Sequence, residues 1–201
     1  MATDVQYYFA SQSPWTYLGH LRFWDVARKH GARIEVLPVD LGGKVFPVSG
    51  GLPLGKRAPQ RQAYRLLEMK RFSEHLHAPL NVTPKFFPVA GDDAAKLIIA
   101  VAEHDGADAA MHITDAVLRA VWVEERNIAD EATLAALLEE RELPPQRLEE
   151  AHSQAVAERY EANTQRAIAA GVFGAPSYVV DGEIFWGQDR LDFLDRALAK
   201  R

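Results

Sequence analysis

The sequence contains no cysteine. Disulfides form and exchange through thiolates, so this chain cannot make, transfer or rearrange a disulfide with its own side chains. Any thiol chemistry must use a thiol that a second molecule brings. The absence therefore excludes a disulfide oxidoreductase that works through its own cysteines.

Long apolar runs and an excess of positive charge are also missing. No apolar run reaches membrane-spanning length, and the polar start Met1-Ala2-Thr3-Asp4 lacks the pattern of a secretory signal. The formal net charge is −5, whereas nucleic-acid binding needs a net basic face. We therefore expect a cytoplasmic protein that binds neither membranes nor nucleic acids.

The seven histidines do not predict a metal site. His75 and His77 are separated by one residue and diverge on a helix, and no third ligand lies nearby at a suitable spacing. The acidic pairs Asp92-Asp93 and Glu124-Glu125 are more typical of helix caps and surface charge than of paired catalytic carboxylates. We expect no metal.

The amino-terminal part has the pattern strand, helix, strand. Apolar residues alternate over Val5–Phe9, which predicts a short strand. Ser13 is a helix N-cap by type and Pro14 suits the first helical position, so a helix should begin there and run to Lys29. The β-rich run Ile34–Val39 predicts a second strand.

The carboxy-terminal part has the pattern turn, proline, strand, hairpin, strand and helix start. Pro176 follows a glycine-rich turn, and Asp181-Gly182 is typical of a hairpin. A cis Ala175-Pro176 bond would expose the backbone of Ala175 to pairing with an extended ligand. The trans form is the alternative and the more frequent one, since about one X-Pro bond in twenty is cis.

Between these parts, roughly residues 55–165 have helical periodicity. Apolar stripes of this kind form protein core far more often than cofactor sites. One predicted stripe comprises Ala63, Leu66, Leu67, Met69 and Phe72, and the last long one runs from Leu148 to Ile168. The Gly- and Pro-rich segment Pro47–Gly55 is the longest candidate loop, and long loops in compact domains often bind ligands.

Three segments carry a resemblance to a known family. They are Ser13-Pro14-Trp15-Thr16-Tyr17-Leu18, Phe173-Gly174-Ala175-Pro176 and Trp186-Gly187-Gln188-Asp189-Arg190. In this order and spacing the chain resembles the 2-hydroxychromene-2-carboxylate isomerases and the kappa-class glutathione transferases. The resemblance covers nearly the whole chain, because Ala120-Val121-Trp122 with Glu124-Glu125 is similar to the family's helical insertion.

The resemblance implies an α/β fold, a DsbA-like thioredoxin domain with an inserted all-helical domain. We expect residues 1–55 and 166–201 to form the thioredoxin-like domain and residues 56–165 the insertion. Relatives are dimers, so the resemblance also implies a homodimer.

The resemblance further implies glutathione as cofactor and Ser13 as the catalytic residue. The Ser13 hydroxyl and the helix N-terminus would stabilise a thiolate and lower the pKa of the external thiol. A pure N-cap role is the alternative for Ser13. The residues expected to bind glutathione are Ser13, Pro14, Trp15, Ala175, Pro176, Trp186, Gly187, Gln188, Asp189 and Arg190.

Within that set the resemblance assigns parts of glutathione to particular groups. Ala175 would pair with the cysteinyl backbone. Arg190 and the backbone amides of the turn suit the γ-glutamyl carboxylate, and Asp189 suits its amine. Capping of the last helix is the alternative for the turn, and a core position is the alternative for Trp186.

The sequence departs from the kappa-class pattern in one loop. Those transferases have an asparagine after the second strand, where this chain has Gly50-Gly51-Leu52. The basic residues that follow, Lys56, Arg57 and Arg61, suit an anionic substrate or the glycyl carboxylate. Their spacing is more typical of a solvated helix face.

We therefore expect a glutathione-dependent isomerase of an aromatic carboxylate from ring degradation. The reaction most similar is 2-hydroxychromene-2-carboxylate to trans-o-hydroxybenzylidenepyruvate, by reversible thiolate addition, bond rotation and elimination. One alternative is a kappa-like transferase that conjugates glutathione to electrophiles. Another is a non-catalytic thioredoxin-like module that binds extended peptides at Ala175-Pro176.

Overall fold

A four-stranded sheet lies at the centre of the structure, a computed structural model that describes residues 2–201. The strands are β1 (Asp4–Phe9), β2 (Arg33–Pro38), β3 (Ser177–Val180) and β4 (Glu183–Trp186), in the order β2-β1-β3-β4. β1 is parallel to β2 and antiparallel to β3, and β3 and β4 form an antiparallel hairpin. The strands predicted from both ends of the sequence are confirmed.

Within residues 2–201, eight α-helices surround this sheet. They are α1 (Pro14–Lys29), α2 (Phe46–Ser49), α3 (Pro59–Leu76), α4 (Asp92–Trp122), α5 (Glu131–Glu140), α6 (Gln146–Ala151), α7 (Gln154–Ala169) and α8 (Leu191–Leu198). α4 packs on both β2 and α1, and α7 packs on β2. The predicted division at residues 55/56 and 165/166 stays a prediction, and Met1 lies outside the described residues.

The local sequence signals act as predicted at the β3–β4 hairpin and at both ends of α1. Asp181 and Gly182 have φ values of 49° and 82°, the two left-handed residues that a two-residue hairpin requires. Ser13 precedes α1 with extended backbone (φ −80°, ψ 127°), and Pro14 occupies the first helical position. The helix ends at Lys29, and Gly31 follows with φ 59°.

Two of the predicted apolar stripes differ from the structure. The stripe beginning at Leu148 is divided between α6 and α7, because Ser153 caps a new helix by accepting from the backbone amide of Val156. On α3 Met69 is buried, whereas the side chains of Leu66 and Leu67 are exposed. α1 is the main element packed against α3, and Leu66 and Leu67 remain exposed to solvent.

Aromatic residues of β1, α1 and β3 form the core next to the site. Tyr7, Phe23 and Tyr178 are fully buried, with ring centroids 4.5–5.5 Å apart. His20 is buried beside them, with Nδ1 3.1 Å from the Tyr7 hydroxyl and Nε2 3.0 Å from the carbonyl of Met111. These bonds fit a neutral imidazole that donates from Nε2 and accepts at Nδ1.

Candidate active site

Ser13 lies at the N-terminus of α1 with its hydroxyl only partly used. Its Oγ accepts a hydrogen bond from the backbone amide of Thr16 at 3.2 Å, which is the expected N-cap bond. Among residues 2–201 this hydroxyl has no acceptor for its own proton. The first turn of α1 contains no acidic residue, so no carboxylate opposes the positive end of the helix dipole. The site therefore favours an anion that accepts from Ser13.

The backbone of Ala175 is the second component. The Ala175-Pro176 peptide is cis, which is one of the two alternatives left open by the sequence. Within the described chain, neither the amide nor the carbonyl of Ala175 has a protein hydrogen-bond partner. The Pro176 carbonyl is engaged, since it accepts from the amide of Gly187 at 2.9 Å. An extended ligand therefore has free backbone groups to pair with at Ala175.

The turn before α8 is held against α1. Arg22 donates to the side-chain oxygen of Gln188 at 2.7 Å and to its carbonyl at 3.1 Å. Gln188 is 2% exposed. A Cβ on Gly19 would lie 2.8 Å from the Cβ of Gln188, so only glycine permits this approach. The side chain and the carbonyl of Gln188 are thus engaged in fixing the turn, which lines the larger cleft.

Two adjoining clefts meet at these elements. The larger cleft, with a volume of about 670 Å³, lies between α3 and the turn Gly187–Arg190. The smaller cleft, about 420 Å³, lies between the N-terminus of α1 and the loop between β2 and α3. Both volumes are typical of small-molecule sites. The residues that line both clefts are Trp15, Arg57, Arg61, Arg65, Ala175 and Trp186.

Nine of the ten residues expected at the site line one cleft or both. Ser13 and Pro14 line the smaller cleft, and Gly187, Gln188, Asp189 and Arg190 line the larger one, while Trp15, Ala175 and Trp186 line both. Pro176 lines neither of the two. The loop residues Gly50, Gly51 and Leu52 also line the smaller cleft. The fold thus brings both ends of the sequence to one place.

Three arginines at a spacing of four form one wall. Arg57 and Arg61 line both clefts, whereas Lys56 is exposed and lines neither. Arg57 is partly buried and precedes α3, so the interpretation as a solvated helix face is wrong for Arg57, whereas Arg61 is exposed on α3 as that interpretation expects. Arg57 also donates to the carbonyl of Leu52 at 2.8 Å, which anchors the loop.

Arg65 is the third arginine, and sequence reasoning missed it. Its side chain is largely buried, at 8% exposure, and its guanidinium carbon lies 5.2 Å from the ring centroid of Phe87 and 5.8 Å from that of Trp122. Burial, followed by the neighbouring charge of Arg57, lowers the pKa of Arg65 to about 10, so it remains cationic at neutral pH. The repeat Arg57, Arg61, Arg65 was the available signal.

Two carboxylates, those of Glu68 and Asp189, line the larger cleft. Glu68 forms no ion pair or hydrogen bond with a protein group in the described part of the chain. Burial raises the pKa of Glu68, and the negative charge of Asp189 raises it further. Asp189 itself pairs with Arg190. The larger cleft therefore has a negative end at Glu68 and Asp189 in addition to the positive wall of arginines.

An aromatic pair lies at the junction of the clefts. The rings of Phe173 and Trp186 have centroids 4.9 Å apart and are both partly exposed. Gly174 lies beneath the Trp186 indole, where any Cβ would overlap the ring. Leu41, Phe46, Leu54 and Phe87 add apolar surface to the smaller cleft. This surface suits a planar ring.

Among residues 2–201, no three side chains of the types that hold metal ions cluster together. No helix in this range has both the length and the apolar character needed to cross a membrane.

Comparisons with known proteins agree with the fold. The family of DSBA-like thioredoxin domains matches residues 4–199. A 2-hydroxychromene-2-carboxylate isomerase of Sphingobium xenophagum is 29% identical over 199 residues, which cover 98% of this chain and 99% of that protein. A 2-hydroxychromene-2-carboxylate isomerase of Pseudomonas putida is 30% identical over 201 residues, covering 98% of this chain and 94% of that protein.

The same relationship is present among solved structures. The structure of a 2-hydroxychromene-2-carboxylate isomerase superposes on this chain with a TM-score of 0.81 at 26% sequence identity. The superposition covers 98% of this chain and 95% of that one. The two structures are thus similar over their full lengths, including the helical segment between β2 and β3.

Proposed function

The chain belongs to the DSBA-like thioredoxin domain family and, within it, to the family of the 2-hydroxychromene-2-carboxylate isomerases, and from this premise we propose that it is a glutathione-dependent isomerase of a ring-bearing carboxylate. The family and the thioredoxin fold are those predicted from the sequence. Because the chain has no cysteine, the disulfide chemistry of cysteine-bearing thioredoxin folds is excluded.

One observation carries the proposal. Ser13 presents an uncommitted hydroxyl proton at an uncompensated helix N-terminus, and it lines the same cleft as the unpartnered backbone of Ala175. A cysteinyl peptide paired with Ala175 would bring its sulfur to the side of the cleft on which Ser13 lies. The Ser13 hydroxyl and the N-terminus of α1 both favour the thiolate over the thiol.

The charges along the clefts fit glutathione. Its amine suits the carboxylates Glu68 and Asp189, and its γ-glutamyl carboxylate suits Arg190 and the backbone amides of the turn. In the described chain, the amides of Gln188 and Asp189 donate to no protein acceptor. The glycyl carboxylate suits Arg57 or Arg61, which replace the missing loop asparagine as the polar contact.

Ser13 has the central role among the protein groups. A charge-assisted hydrogen bond contributes about 1.5 to 3 kcal/mol and a helix terminus about 0.3 to 1 kcal/mol, which together lower the pKa of a bound thiol by roughly one to three. When bound, glutathione supplies a thiolate for reversible addition to a carbon–carbon double bond, bond rotation and elimination. Ser13 holds its hydrogen bond to that sulfur position, and the apolar wall of the smaller cleft orients the ring.

The ultraviolet absorbance of thiolate tests the proposal. We expect glutathione mixed with the protein to ionise well below the pH at which free glutathione ionises, and Ser13→Ala to remove this difference. The absence of a thiolate signal with folded protein would contradict the proposal. In that case binding of extended peptides at Ala175 becomes the function to test, because that alternative has no effect on thiol ionisation.

Product analysis separates isomerisation from transfer. With 2-hydroxychromene-2-carboxylate in large excess over glutathione, an isomerase brings the whole substrate pool to equilibrium with the product and leaves the glutathione intact. A kappa-like transferase consumes glutathione in proportion to product. Similarity to the kappa class, a cytoplasmic location and a homodimer stay predictions; sedimentation of the purified protein tests the last of these.

A further inference from the structure

Arg65 is a buried cation with no anionic partner. It is 8% exposed, and within residues 2–201 its guanidinium takes part in no ion pair and no hydrogen bond. Most other arginines of the chain pair with carboxylates, as Arg147 does with Asp105 at 2.6 Å. Buried charges in proteins are usually paired because removing a charge from water is costly. Arg65 is therefore a site for an anion supplied by a ligand.

The surroundings of Arg65 indicate which ligand. Its guanidinium lies over the faces of Phe87 and Trp122, and Phe87 lines the smaller cleft together with Ser13. Arg65 lines the smaller cleft as well, so a flat ring bound there lies in the same cleft as the guanidinium. The carboxylates of this region, Glu68 and Asp189, line the larger cleft and pair with no part of Arg65.

We propose that Arg65 binds the carboxylate of the ring-bearing substrate and makes the enzyme selective for carboxylates over neutral rings of the same shape. The inference rests on the proposed function, because it takes the smaller cleft as the substrate site. Arg57 and Arg61, which are more exposed, are left for glutathione. Arginine suits the role because its planar fork binds a carboxylate with two hydrogen bonds while its face packs on aromatic rings.

The test uses two unreactive probes, chroman-2-carboxylate and chroman-2-methanol, which share a ring and differ in charge. Their dissociation constants are measured by calorimetry for the wild type, Arg65→Met, Arg65→Lys and Arg71→Met. Methionine retains much of the apolar packing of the arginine stem. Arg71 is exposed on the same helix and lines neither cleft, so its variant is the matched control.

We expect the wild type and Arg71→Met to prefer the carboxylate roughly tenfold or more, Arg65→Met to lose the preference, and Arg65→Lys to keep part of it. Binding of chroman-2-methanol should change little in Arg65→Met. An undiminished preference in Arg65→Met overturns the inference, and so does an equal loss for both probes, which would indicate a purely structural residue. If Arg65→Met does not fold, the uncharged Arg65→Gln takes its place, and an undiminished preference for the carboxylate in that variant overturns the inference.

The thiolate measurement on the same proteins distinguishes this inference from the proposed function. Thiolate formation that persists in Arg65→Met supports the assignment to the substrate. Its loss in Arg65→Met, with the wild-type signal present, assigns Arg65 to glutathione and overturns the inference alone. A missing signal in the wild type contradicts the proposed function, whatever the probes show.

Discussion

Arg22 and Gln188 join the first helix to the turn before the last one, with the guanidinium donating to both the side-chain oxygen and the carbonyl of Gln188. The two residues are 166 positions apart in the sequence. The contact is possible only because Gly19, one turn before Arg22, lets the turn approach the helix axis. The relative position of Ser13 and Asp189 therefore depends on the glycine at the contact between α1 and the turn.

Gly19→Ala should destabilise the protein by about 1 to 3 kcal/mol through overpacking. Alanine is a better helix former than glycine by about 1 kcal/mol. Helix propensity alone therefore predicts that Gly19→Ala stabilises the protein. Urea unfolding measures the difference. Gly55→Ala is the control, because nothing lies within 4 Å of the added Cβ. A Gly19→Ala variant as stable as the wild type would contradict the close approach described above.

Ser13→Ala and Ser153→Ala separate capping from chemistry. Each serine caps a 16-residue helix by accepting from a backbone amide, at 3.2 and 3.3 Å. Both variants should lose about 1 kcal/mol of unfolding free energy. Turnover should fall by a large factor in Ser13→Ala alone, since Ser153 lines neither cleft. Near-normal turnover in Ser13→Ala would sink the assignment of Ser13.

Glu68→Gln should weaken glutathione binding by about threefold to tenfold, because the carboxylate faces the ligand amine. The affinity for desamino-glutathione, which lacks that amine, should not change. Calorimetry with both ligands measures this difference. Glu74→Gln, an exposed position on the same helix near Lys70, should affect neither ligand. Equal losses for both ligands would show that Glu68 does not recognise the amine.

The buried His20 should make the free energy of unfolding depend on pH between about 4 and 6.5. Burial lowers the pKa of His20 from 6.5 to about 4. Between these values the unfolded chain binds the proton and the folded protein does not, so stability falls as pH drops from 6.5 towards 4, by up to about 1.4 kcal/mol per pH unit. Urea unfolding at several pH values should show a flatter slope in His20→Gln, but not in the exposed His75→Gln.

Local signals were sufficient for the elements that hold the site. Ser13 before Pro14 specifies a helix start, and Asp181-Gly182 specifies a tight hairpin, because each constrains its own backbone. Element order then placed both ends of the chain together. These features require no knowledge of distant contacts.

The burial of Arg65 and the position of Glu68 in the cleft could not be found in the same way, although the repeat Arg57, Arg61, Arg65 is visible in the sequence. Charged residues on a helix are normally expected to face solvent. On α3 the order is reversed, since Leu66 and Leu67 are exposed while the charged Arg65 is buried. Arg65 is buried because Phe87 and Trp122, from distant parts of the chain, pack over it. Likewise, the pKa of Glu68 is raised because α3 and the turn before α8 form opposite walls of one cleft. Such contacts follow from tertiary packing, which residue spacing does not encode.

The six residues shared by the two clefts have a thermodynamic consequence. A molecule in either cleft contacts side chains that also line the other cleft. The binding free energies of the two molecules are therefore linked. Linkage is reciprocal: whatever factor one occupant imposes on the affinity of the second, the second imposes on the first. Affinities determined one molecule at a time therefore describe a different state from the ternary complex, and the two occupants have to be titrated against each other.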